Sequence, residues 1–108
     1  MAIVRVGLID LGPTNTGNFG PLNVPTYIKS GITLTVTGSA VFTNTSGNTM
    51  VGIEGWCWRF TIRTGHVMVH NAETATAYNG MFYSATEGER VGVIACIPGH
   101  PLSFFEVA

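Results

Sequence analysis

Ile32-Thr33-Leu34-Thr35-Val36-Thr37-Gly38-Ser39-Ala40-Val41-Phe42 decides the fold class, because its apolar side chains recur at alternate positions. Successive side chains of an extended chain point to opposite faces. Ile32, Leu34, Val36, Ala40 and Phe42 therefore share one face, and Thr33, Thr35, Thr37 and Ser39 share the other. The segment reads as a half-buried strand with a hydroxyl-lined outer surface, in which Gly38 marks a bulge or bend.

The same period continues beyond the turn formers Asn44 to Asn48. In a strand from about Val51 to Arg63, the positions Trp56, Trp58, Phe60 and Ile62 fall on one face and form the heart of the core. Cys57, Arg59, Thr61 and Arg63 fall on the other. Thr64-Gly65 then leads into His66-Val67-Met68-Val69-His70. A two-residue hairpin loop here sets Ile62 opposite Val67 and Phe60 opposite Val69, with Arg63 beside His66 and Arg59 beside His70 on the outer face. A bulge at Gly65 instead pairs Ile62 with His66 and turns both histidines toward the tryptophans. The first register is preferred because it sorts valines with aromatics, and it makes Arg59, Arg63, His66 and His70 a candidate outer-face contact surface.

The last third reads as a meander. Asn79-Gly80 is a strong hairpin signal joining Thr74–Tyr78 to Met81–Thr86. Glu87-Gly88 is the next turn, bringing Phe82 opposite Val93. Residues 90–97 are apolar on both faces, as in a strand buried between layers, and Leu102–Val107 is a final short strand. The expectation is a single all-β domain over 1–108: an antiparallel β-sandwich or barrel, jelly-roll-like, of about seven or eight strands.

Residues 10–30 break this pattern. They are rich in turn formers, with isolated apolar residues, and too long for a routine connection. Ordering such a stretch costs roughly 1–2 kcal/mol per residue, while burial of a side chain such as Leu11, Phe19, Leu22, Val24 or Tyr27 returns roughly 1.5–3 kcal/mol. Hydrogen bonds or a partner must supply the difference. The stretch is expected to be an extended loop or arm whose Phe19, Leu22, Val24 and Tyr27 contact a neighbouring subunit or lattice.

Composition narrows the classes of function. Of 108 residues only five are basic and six acidic, with Lys29 the single lysine, against 14 glycines and 14 threonines. Ordinary domains carry about 25% charge, so so apolar a chain is expected to self-associate. A net charge of −1 does not suit a duplex nucleic-acid binder, which needs a cationic footprint. No apolar run approaches the roughly 20 residues of a membrane span, and the start lacks the pattern of a signal peptide, so synthesis inside a cell is expected. Cys57 and Cys96 are expected to be small buried hydrophobes rather than a disulfide.

No residue set spells a reaction. His66, His70 and Glu73, followed by Ile97-Pro98-Gly99-His100, resemble the two metal motifs of the cupins. That family, however, spaces its first two histidines one residue apart and its proline, glycine and histidine more widely. On a strand, positions four apart are separated by about 13 Å, at roughly 3.3 Å per residue, too far for one ion. No nucleophile elbow or activated cysteine is present, so neither catalytic residues, metal nor cofactor are expected. Trp56, Trp58, Tyr78 and Tyr83 are candidate stacking platforms for a sugar, of which Tyr83 is the easiest to expose.

In size, composition and strand pattern over its whole length, the chain resembles the small decoration or cement proteins of tailed-phage capsids. The resemblance implies a non-enzymatic virion protein, made in the host cytoplasm, that stabilises a capsid through subunit contacts. Its partners would be copies of itself, as a homo-oligomer such as a trimer, and the major capsid protein or another virion protein, with neither nucleic acid nor membrane. The alternatives are a β-sandwich ligand or carbohydrate-binding (receptor-binding) module and a cupin-like metal enzyme.

Overall fold

The structure is a computed structural model that describes residues 1–10, 26–44 and 50–107. Among the described residues it contains eight strands and no helix. The strands are β1 (Ala2–Asp10), β2 (Thr26–Val36), β3 (Val41–Phe42), β4 (Cys57–Thr64), β5 (His66–His70), β6 (Met81–Ser84), β7 (Arg90–Ala95) and β8 (Ser103–Glu106). They form two four-stranded antiparallel sheets, β2-β1-β4-β7 and β3-β8-β5-β6. This interleaved order is that of a jelly roll whose closing strand, β1, comes first in sequence. The all-β sandwich expected from the alternation is the observed architecture.

Alternation also placed the core. Trp58, Phe60 and Ile62 of β4 are fully buried, flanked in the ladder by Leu8, Val6 and Val4 of β1. From the second sheet, Val67, Val69 and Phe104 point into the same interlayer space. At its centre the Phe60 ring meets the edges of Tyr83, at 4.9 Å, and Phe104, at 5.7 Å, a geometry that aromatic quadrupoles favour. Gly92 faces this cluster from β7, where a Cβ would stand 2.6 Å from Phe60 Cε2 and 2.9 Å from Tyr83 Cε2. Gly92→Ala is accordingly expected to cost about 1–3 kcal/mol by overpacking. Urea unfolding checks this as a lowered midpoint at unchanged slope.

The pairings inferred from the turns are corrected by the tertiary structure. Thr64-Gly65 makes neither hairpin register, because both edges of β4 are already taken by β1 and β7. The chain instead crosses to the other sheet at Gly65, whose φ of +84° suits glycine and whose missing side chain admits Ala2. Gly38, at φ +66°, is a similar corner that splits the 32–42 run between β2 and β3.

The meander is corrected in the same way. Residues 74–78 form no strand; a single bridge joins Thr76 and Asn79, and β6 pairs with β5 across this longer connection. Side chains hold its backbone: His70 Nδ1 accepts the N–H of Ala72 (3.0 Å) and of Glu73 (2.9 Å), and Ser103 Oγ accepts that of Ala75 (2.7 Å). Such bonds compete with a ladder. The turn ending at Gly88 is another corner, closed by its N–H on the Ala85 carbonyl, so Phe82 and Val93 lie in different sheets. β7 is an edge strand rather than one buried between layers, with Val91 45% and Val93 50% exposed.

Both ends of the expected 10–30 arm are strand instead. Asp10 pairs with Thr26 and Ile9 with Tyr27, so residues 26–30 belong to β2. Residues 11–25, with Phe19, Leu22 and Val24, lie outside the described residues.

Candidate functional site

The outer face of the first sheet carries Arg5, Arg59 and Arg63. Ladder partners share a face, so Thr33, Arg5, Thr61 and Val91 form one row across the sheet, and Gly7, Arg59 and Val93 the next. Arg63 Nε donates to Glu89 Oε2 at 2.9 Å, with both side chains more than half exposed. In that setting the pair contributes at most about 1 kcal/mol. Arg5 Nη1 reaches Thr33 Oγ1 at 3.4 Å. Between these groups lies a shallow depression of about 260 Å³ lined by Arg5, Thr61, Arg63 and Glu89.

The outer face of the second sheet carries apolar side chains beside His66 and His70. Phe105, Met68 and Phe82 form a row across β8, β5 and β6. Phe82 is 56% exposed, and the His66 ring stacks on it with centroids 6.0 Å apart. His66 Nδ1 is hydrogen-bonded to Ser84 Oγ at 2.7 Å, and Ser84 Oγ in turn meets Thr86 Oγ1 at 3.0 Å. Among the described residues no carboxylate pairs with His66, and its ring nitrogen serves the β5–β6 edge rather than an activated hydroxyl.

Arg59, Arg63, His66 and His70 thus all lie on outer faces but do not form one surface. Arg59 and Arg63 belong to the first sheet, His66 and His70 to the second, on opposite sides of the sandwich. The separation follows from the corner at Gly65, which turns a presumed hairpin into a crossing. His70 is committed to capping the connection that follows it, and its Nε2 lies 3.7 Å from Glu73 Oε2. Among the described residues, no three histidine, cysteine or acidic side chains converge as a metal site, so the cupin motifs are not assembled.

The aromatic platforms are also redistributed. Trp58 is in the core, Trp56 packs partly against it, and Tyr83 is buried against Phe60 rather than exposed. Tyr78 is 97% exposed. Sequence reasoning missed the half-exposed Phe82, Val91 and Val93; the available signal was an apolar run with hydrophobic residues on both faces, read as burial. Cys57 and Cys96 are free and half-buried. Burial pushes the Cys96 thiol above its ordinary range, against a lowering hydrogen bond from the Ile53 backbone, and nearby Cys57 adds to the rise. Such a thiol is a poor nucleophile.

The chain matches no family model, no curated protein and no solved structure.

Proposed function

We propose that this protein is a non-enzymatic structural component of a phage virion that decorates and stabilises the capsid through protein–protein contacts. The observation that carries the reading is the placement of exposed apolar side chains. Met81 and Phe82 on β6, at the edge of one sheet, and Val91 and Val93 on β7, at the edge of the other, are all close to half exposed or more. Exposed apolar groups on both sides of a chain with so few charges are suited to cover by protein. The 11–25 stretch, with its spaced apolar anchors, adds a second contact element on sequence grounds.

The test uses capsid shells lacking the protein. Added protein should sediment with them and raise their melting temperature. Asp10 and Thr26 are ladder partners, so residues 12–24 can be replaced by Asn-Gly without separating β1 from β2. That variant should keep its own melting transition and lose shell binding. A wild-type protein that leaves shells unbound and unstabilised overturns the proposal.

Exposed Tyr78 and the stacked His66–Phe82 pair favour one second reading, a carbohydrate-binding module of a receptor-binding protein. Glycan-array binding lost in Tyr78→Ala and Phe82→Ala would place that reading first.

A further inference from the structure

We infer that the free edge of β7 pairs antiparallel with β7 of a second copy, joining two first sheets into one continuous eight-stranded sheet. The inference stands apart from the virion role, which does not require this contact.

The backbone determines which groups are available. The Cys96 N–H donates to the Trp56 carbonyl at 3.0 Å. Trp56 and Cys96 extend the β4–β7 register by one step, and antiparallel ladders alternate inward- and outward-bonding residues. Arg90, Gly92 and Ile94 therefore bond to β4, while Val91, Val93 and Ala95 direct their N–H and C=O groups away from it. The position of Asn71 agrees, because its side-chain amide donates to the Ala95 carbonyl from the open side at 2.9 Å. Val91 and Val93 retain outward N–H and C=O groups with no partner among the described residues.

This edge lacks the usual guards. Lysine, proline and bulges protect natural edges from pairing, yet β7 has no lysine or proline and its register with β4 is unbroken over six pairs. The neighbouring charges are turned aside: the Arg90 guanidinium lies 5.7 Å from the Tyr83 ring centre, and Glu89 is held by Arg63. The opposite edge of the same sheet differs, since β2 contains Lys29 and meets β1 through two register shifts.

The occupant follows from self-complementarity. With Gly92 opposite Gly92 of the second copy on a two-fold axis, Val91 meets Val93 of the other chain and Val93 meets Val91, each as a doubly hydrogen-bonded pair. All four outward-directed groups of each copy are then satisfied. The four valines form one apolar patch on the outer face, and no like charges stand directly opposite, since Arg90 meets Ile94 and Glu89 meets Ala95. Asn71, at the Ala95 carbonyl, limits the bonded stretch to its two valine pairs.

Sedimentation equilibrium of the full chain tests this. So short an interface is at the weak end of specific association, so measurements extend to about 100 µM, where the 11.5 kDa chain should show a monomer–dimer equilibrium. Val93→Lys and Val93→Pro should each weaken association at least tenfold. The proline removes an N–H that β4 does not use, and is tolerated at such edge positions. Thr35→Lys, on the other edge strand, should leave the dimer unchanged. In the wild-type protein, hydrogen exchange at the Val91 and Val93 amides should slow as concentration rises, a readout that needs no variant to fold. A monomer throughout, a trimer, or a dimer insensitive to Val93 substitution with both amides unprotected overturns the inference. Shell binding by such a protein would leave the virion proposal standing.

Discussion

Phe60→Ala is expected to lower the free energy of unfolding by about 3–5 kcal/mol, the usual cost of truncating a buried aromatic. Phe60 is fully buried and touches both layers: it sits on β4, and its ring packs against Tyr83 of β6 and Phe104 of β8. Removing it forfeits apolar burial and two edge-to-face contacts, and the rigid ladder on either side of β4 restricts collapse into the space. Domains of this kind have roughly 5–15 kcal/mol in total, so the loss is a large share. Urea denaturation followed by tryptophan fluorescence measures it, since Trp58 lies two residues away on the same face. A cost under about 1.5 kcal/mol, the range of a volume-conserving swap, would show that the two sheets do not pack through this residue.

Thr43→Val is expected to cost about 2–4 kcal/mol despite conserving shape. Thr43 is fully buried, and its Oγ1 donates to the Met50 carbonyl at 2.8 Å while accepting the Leu102 N–H at 3.1 Å. Valine fills the same volume but leaves a donor and an acceptor unpaired in a buried site, at about 1–3 kcal/mol each. The comparison with Thr43→Ser is decisive, because serine retains the hydroxyl and loses only a methyl group. Thermal and urea unfolding should rank the wild type above serine and serine above valine. If valine proves as stable as serine, the hydroxyl is not bridging the 43–50 segment to the start of β8.

The virion reading and the β7 pairing draw on the same chemistry at different levels. A surface with few charges and many threonines presents little electrostatic resistance to close approach by another protein. Half-exposed Val91 and Val93 then supply apolar area at the place where the ladder is open. The arginines of the first sheet and the aromatic row of the second remain on opposite faces, so one molecule can offer chemically distinct contacts on its two sides.

The all-β class and the inward or outward facing of the clearest strands were determined by the sequence alone, whereas the strand expected over Thr74–Tyr78 does not form and residues 26–30 join β2. Facing is a property of a single pleated segment: the period of two assigned Leu34, Val36, Trp58, Phe60, Ile62, Val67 and Val69 to the interior without reference to any partner. Pairing was decided only by the tertiary structure. Thr64-Gly65, Asn79-Gly80 and Glu87-Gly88 all carry turn chemistry, yet two of these sites are corners between sheets and the third closes a local bridge. A glycine permits a turn but does not specify whether the chain returns beside the strand it left or crosses over it. That choice depends on which edges distant segments have occupied, as β1 does between β2 and β4. The same physics separated Arg59 and Arg63 from His66 and His70, and it left β7 at an edge, because exposure of an apolar strand depends on its neighbours and not on its own residues.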